Sequence, residues 1–192
     1  MTPNLPTDAQ PIDFAMIFER APVGLCVSEQ RSIRACNLEL ASMFGYNVAT
    51  LNGQSFSILY PSADEFERTG ERIAPILNRQ GFYSDERIMK RADGELFWCH
   101  VTGRALSRED PHASGIWTFE DLSNRRPVTA ELSMREREVA ALLVEGKTSK
   151  LIAKQLALSP RTVEMHRARL MKKFSASTSS ELVNRLLGGR LG

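Results

Sequence analysis

The chain has 192 residues, 42% apolar and 25% charged, a balance that suits globular cores and argues against disorder except at the ends. Three cysteines, Cys26, Cys36 and Cys99, are odd in number and widely spaced, which excludes a disulfide framework and a CxxC metal or redox site. The net charge of +2 is unevenly placed: residues 1–127 carry 13 Lys/Arg against 17 Asp/Glu, a balance of −4, and residues 128–192 carry 12 against 6, a balance of +6, so the last third suits a polyanionic partner.

Residues 1–11 are polar, contain prolines and lack a basic patch ahead of an apolar core, so they read as a flexible arm and not as a secretory signal. No apolar run approaches the ~18–20 residues of a membrane span, and the expected location is the cytoplasm, with no membrane partner. From Asp13, FAMIFERAP sets Phe14, Ile17 and Phe18 at helical spacing until Pro22, predicting a short helix that packs on the segment after it. Gly24–Val27 and Ser32–Cys36 flank the polar turn Ser28–Arg31 and read as a hairpin. Asn37 opens a helix over Leu38–Phe44 that Gly45 stops, and Asn47 caps a further turn. Ser62–Gln80 is helical and charged, which predicts exposure, and Pro75 predicts a break or kink. Three strands come next, Tyr83–Arg91, Leu96–Leu106 and Gly115–Phe119, with Ala92–Glu95 as a hairpin turn. The sum is an α+β domain built on five antiparallel strands.

FERAPVGLCV, ACNLELASMFGY, KRADGELFW and IWTFEDLSNRR, in that order and spacing, resemble a PAS domain over about Phe14–Ser123. The resemblance implies a sheet cupping a small cavity, in a sensor or a dimer contact. The cavity is filled either by its own side chains or by an unidentified small ligand, and the fold does not choose between them. Light-sensing flavin PAS domains carry a reactive cysteine in an NCRFLQ-like run, whereas here Cys36 precedes Asn37-Leu38-Glu39-Leu40; haem PAS domains offer a histidine on the long helix, and Ser62–Gln80 has none. Neither cofactor is expected. His100, on a strand, reads as a structural residue, His112 lies in a loop, and no cluster has metal-ligand spacing. Phe97, Trp98, Trp117 and Phe119 are candidates to line a pocket, ordinary core packing being the expectation for most of them.

Residues 124–130, with Arg125, Arg126 and Pro127, form a short linker that keeps two domains close, at 12–123 and 131–192. In the second, Ser133 and Glu136 have capping-box spacing, Gly146 ends a first helix, Thr148 caps a second, Ser159-Pro160 starts a third, and Thr178 with Glu181 starts a fourth. The third, Ser159–Phe174, turns Val163, Leu170 and Phe174 to one side and Arg161, Met165, Ala168 and Lys172 to the other, flanked by Glu164 and Arg169. A basic stripe is ordinarily a solvated face, but a helix, a tight turn and a basic-faced helix make a helix-turn-helix.

The run LSMREREVAALLVEGKTSKLIAKQLALSPRTVEMHRARLMKKF resembles the DNA-binding domain of LuxR-type bacterial transcription regulators over about Leu132–Leu187. Leu151 departs from the pattern, since relatives commonly carry an acidic residue there. The resemblance implies that Glu164, Met165 and Ala168 face base edges, while Thr148, Lys150, Arg161, Thr162, Arg167, Arg169 and Lys172 hold phosphates; the helical wheel, however, puts Arg167 nearer the core side. It also makes Glu181–Leu187 a dimerising helix.

The expected function is therefore a sequence-specific regulator that binds double-stranded DNA as a homodimer through the PAS domain and the last helix, with RNA polymerase as a further candidate partner. An enzyme is not expected: a histidine phosphoacceptor, an ATP-binding segment, Walker glycines and a nucleophile with its base are all missing from the sequence. The alternative is a PAS signalling protein whose last helices serve protein–protein interaction, which a flat salt dependence of DNA retention would favour.

Overall fold

The computed structural model describes residues 12–107, 110, 112–125 and 132–188. The expected arm, most of the linker and the last four residues lie outside this set.

The first half is a five-stranded antiparallel sheet in the order β2-β1-β5-β4-β3: β1 (Gly24–Glu29), β2 (Ser32–Cys36), β3 (Phe82–Lys90), β4 (Leu96–Ala105) and β5 (Ser114–Asp121). The hairpin turn is tighter than the sequence suggested. β1 runs on to Glu29, and Gln30 and Arg31 alone make the turn with φ of 49° and 60°, the left-handed pair that matches the twist of two strands. Between β2 and β3 come α2 (Leu38–Phe44), α3 (Val48–Leu51), a 3-10 turn at Phe56–Leu59 and α4 (Ala63–Gln80). Asn37, Asn47 and Ser62 cap the three α-helices by accepting backbone N–H bonds.

These helices cover one face of the sheet, where Ile33, Leu40, Phe44, Leu51, Phe97, Cys99, Val101 and Phe119 form a core. In the long helix the expected break does not occur and the expected exposure is only partial. Pro75 lies inside an 18-residue α4 without ending it, and the charged sequence still buries Glu65, Phe66, Gly70, Ile73 and Leu77. The apolar stripe holds the helix on the sheet through Tyr83, which outweighs the single amide that proline removes. The opposite occurs at α1 (Phe14–Arg20). It forms as expected with an Asp13 cap, yet it buries none of its residues, and Phe14 is 76% exposed.

The second half consists of α5 (Met134–Val144), α6 (Ser149–Gln155), α7 (Pro160–Lys173) and α8 (Ser179–Leu186), started by Ser133, Thr148, Ser159 and Thr178. The Ser133–Glu136 capping box is complete. At α8 only half of the expected box forms: Thr178 accepts from Glu181, but the Glu181 carboxylate turns back to the Ser177 amide at 2.7 Å. Leu151, where the sequence departs from its relatives, leaves the α6 cap intact, its amide donating to Thr148 at 3.4 Å.

The two halves share one core. Ile88 and Trp98 face each other across β3 and β4 on the uncovered side of the sheet, and both pack with Leu132, Val139 and Leu142 of the second half. The edge strand β3 is thereby covered by α5.

Candidate functional site

Two places can carry function: the outer face of α7 and a cavity under the sheet. In α7, Val163, His166 and Leu170 are buried, which turns Arg161, Glu164, Met165, Ala168, Arg169 and Lys172 outward, all exposed. Met165, at 44% exposure, is a large apolar side chain with nothing packed over it. Thr162 is half-buried, its hydroxyl 2.8 Å from the Ser159 cap. Thr148 and Lys150 are exposed at the start of α6. Neither α5 nor the sheet covers this surface, so a straight polyanion has access to it.

Arg167 stands apart from the other basic residues. Its guanidinium donates to Ser149 Oγ and Ser179 Oγ, both at 2.6 Å, and to Glu164 at 3.3 Å, so it ties α7 to α6 and α8. His166 faces inward against the first helix, and burial together with Arg169 holds its pKa below the usual imidazole value. Lys173 is drawn inward as well, 2.7 Å from Glu136.

The cavity of about 40 Å³ lies between the sheet and α4. Phe56, Ile73, Val101, Trp117 and Phe119 make its apolar wall, and Tyr60 and Arg87 close one end. Of the four aromatics expected near a pocket, Trp117 and Phe119 line it. Phe97 packs in the core without reaching it, and Trp98 points to the other face of the sheet. Trp117 is fixed by its indole N–H, which donates to Ser28 Oγ at 2.9 Å, and lies flat over Gly103, where a Cβ would come within 2.2 Å of the ring.

His100 is outside the cavity, 2.8 Å from Ser84 Oγ on the outward face, in keeping with a structural role. His112, which the sequence offered no reason to notice, lines the cavity beside Arg31. Arg31, Tyr60, Gly70 and Arg87 were likewise missed. The usable signal was a pair of charges, Asp85 and Arg87, at inward-facing positions of a strand.

Arg87 is buried and donates to Tyr60 Oη at 2.6 Å and to Asp85 Oδ1 from Nε at 2.7 Å. Asp85 Oδ2 also accepts from Tyr83 at 2.8 Å and from Arg72 at 3.0 Å. Burial opposes the charge on Arg87, and Asp85 more than restores it, so the guanidinium stays protonated. Tyr60 and Arg87 also line a second cleft, of about 260 Å³, between the two halves of the chain. There Glu65 and Arg68 of α4 meet Arg137 and Glu138 of α5.

Among the described residues no group of His, Cys, Asp and Glu has metal-binding geometry, and no helix is long and apolar enough to cross a membrane. The three cysteines are buried and unpaired, and burial raises the pKa of each.

Two family models match the chain: a PAS domain over residues 22–124, and bacterial regulatory proteins of the luxR family over residues 130–186. The solved PAS domain of a LuxR-family transcriptional regulator from Burkholderia thailandensis, in complex with ethanol, is 61% identical, with a TM-score of 0.57 over 58% of this chain and 99% of that one. The VqmA dimer of Vibrio cholerae shares the fold at 20% identity, with a TM-score of 0.55 over 92% of this chain and 88% of its own. Among curated proteins, the sensor protein TdiS of Thauera aromatica is 30% identical over 138 residues, which is 72% of this chain and 25% of TdiS. FixJ of Bradyrhizobium diazoefficiens is 40% identical over 79 residues, 41% of this chain and 37% of FixJ. The chain thus spans between a quarter and somewhat over a third of these two curated relatives.

Proposed function

The chain belongs to the PAS-domain regulators of the LuxR family, and from that premise we propose that it is a sequence-specific transcription regulator that binds double-stranded DNA. The observation that carries this reading is the α7 face. Its basic side chains and its short or flexible ones stand exposed together, while the inward side is fully used in packing. Arg161, Arg169, Lys172 and, at the start of α6, Thr148 and Lys150 supply the phosphate contacts. Glu164, Met165 and Ala168 meet base edges: the carboxylate accepts from a cytosine amino group, and the apolar pair meets thymine methyls. Arg167 serves the fold instead.

The protein acts as a homodimer in the cytoplasm, each copy placing one α7 in the major groove of a half-site, about one DNA turn or a multiple from the other. α8 leaves Asn184 and Leu187 exposed, and the uncovered α1 adds apolar surface for the same purpose. RNA polymerase is the partner of the DNA-bound state. The cavity under the sheet admits a small ligand, a reading supported by the Burkholderia thailandensis domain having been solved in complex with ethanol.

Selection of bound fragments from genomic DNA tests the reading. A recurrent paired half-site is expected, and retention that ignores both sequence and salt would overturn it in favour of a protein-interaction role for the last helices.

A further inference from the structure

The sensor cavity, the cleft and the second half of the chain meet at one buried cluster whose charges do not balance. Asp85 is a single carboxylate, shared by two guanidinium groups, Arg72 at 3.0 Å and Arg87 at 2.5 Å, and its exposed side-chain fraction is 2%. The cavity lining contains two arginines, Arg31 and Arg87, and no acidic residue. Arg31 meets its carboxylate, Glu67, outside the cavity, where Glu67 is 60% exposed. Both guanidinium groups are ion-paired, but the sharing of Asp85 between Arg72 and Arg87 leaves that cluster one positive charge in excess, and the rest of the lining is hydroxyls, the His112 imidazole, Gly70, the aliphatic Ile73 and Val101, and aromatic rings. Arg87 has five N–H groups, and three are used by Tyr60 and Asp85.

We infer that the cavity takes a small carboxylate of three or four heavy atoms, and that Arg87 relays its arrival to the DNA-binding domain. The inference rests on the sensor reading of the same cavity. Size fits the ligand: 40 Å³ is room for about three water-sized groups, on the scale of ~10–15 Å³ for one. The methyl end packs among Phe56, Trp117 and Phe119, and the carboxylate faces Arg87, competing with the Tyr60 hydroxyl for its N–H groups.

The relay is short. Arg87 precedes Ile88, whose side chain is part of the core shared with Val139 and Leu142, and its guanidinium borders the cleft that Arg137 and Glu138 also line. A second negative charge in the cavity draws the Arg87 guanidinium away from Tyr60 and Asp85, and so shifts both its border with the cleft and the neighbouring Ile88 beneath α5. A ligand thus acts on how the DNA-binding domain is held, with the α7 face uncovered in either state.

The chain contains two tryptophans, and they report the two ends separately: Trp117 lines the cavity and Trp98 lies in the shared core. Acetate is titrated into the wild-type full chain and into Trp98→Phe, the difference between the two giving the Trp98 signal, with ethanol as the neutral probe and chloride holding ionic strength. Trp117 emission is expected to saturate with acetate at a concentration at least tenfold below that of ethanol, and Trp98 emission to follow with a midpoint within threefold. Arg87→Met should abolish the Trp98 response. Because that variant takes from the buried Asp85 carboxylate one of its two guanidinium partners and can loosen the fold, Tyr60→Phe provides a second check: it removes one competitor and should lower the acetate midpoint at least threefold with Trp98 still responding. Equal responses to acetate and ethanol at Trp117 would overturn the carboxylate while leaving ligand sensing intact. A Trp117 response without one at Trp98, or a Trp98 response that survives Arg87→Met, would overturn the relay. Silence toward both probes overturns the inference as a whole and leaves the DNA-binding reading to the fragment selection.

Discussion

Arg137 on α5 grips Glu65 on α4 with both arms of its guanidinium, Nε reaching Oε2 at 3.2 Å and Nη2 reaching Oε1. Their side chains are 12% and 7% exposed, so this is a largely desolvated ion pair that crosses from one domain to the other. Glu65→Ala strands the guanidinium, a loss of about 3–5 kcal/mol for a broken buried pair. Urea unfolding followed by Trp98 fluorescence should shift to a lower midpoint and broaden into two steps. Glu65→Ala combined with Arg137→Met should recover most of the loss.

Lys172 and Glu164 should divide affinity from specificity. Lys172→Ala is expected to weaken binding to every DNA and to lower the slope of log K against log salt by about one. Glu164→Ala should change the preferred base at one position of the half-site with the slope unaltered. Uniform loss on all sequences for both variants, measured by filter retention against salt, would contradict this division.

Arg167→Ala should behave differently from either. Its bonds to Ser149, Ser179 and Glu164 hold three helices, so the variant should lose about 1–3 kcal/mol of stability from stranded partners, with the salt slope of DNA binding unchanged. Thermal unfolding beside the same retention assay separates the two effects.

Gly103→Ala forces the Trp117 ring off the strand, since the new methyl would overlap it. A cost of about 1–3 kcal/mol from overpacking is expected, with a blue-shifted Trp117 emission in a Trp98→Phe background as the ring leaves Ser28 and enters the apolar cavity.

The pH dependence has a definite sign at Glu136. Burial alone would raise its pKa, but Lys173 and the Ser133 amide outweigh burial and hold it below the ordinary value of 4.5. A carboxylate depressed in the folded state contributes stability that is complete above the unfolded value and is lost as pH falls through the folded one. The wild-type chain should therefore lose stability steadily below about pH 4.5, and Glu136→Gln should lose less over that range.

What was legible in the sequence was local. Asn37, Ser133, Thr148, Ser159 and Thr178 announce their helices because a cap needs only one oxygen three residues ahead of an amide. The outward face of α7 was equally readable, since helical periodicity alone sorts Val163 and Leu170 from Met165 and Ala168. The cavity was not readable, because Arg31, Tyr60, Arg87 and His112 come from four separate segments and meet only through sheet register. The seam between the domains left one trace. Phe97, Trp98 and Cys99 are consecutive and all buried, which happens when a strand is covered on both faces.

Trp98 and Ile88 also bear on how such proteins can be recombined. A chimaera cut in the linker would carry half of a joint, leaving an indole and an isoleucine against a foreign first helix, or Leu132, Val139 and Leu142 against a foreign sheet. Exchange of sensor heads in this family should succeed only between chains whose β3–β4 outer pair and α5 inner stripe are matched, so the boundary that matters for grafting is a surface and not a point in the sequence.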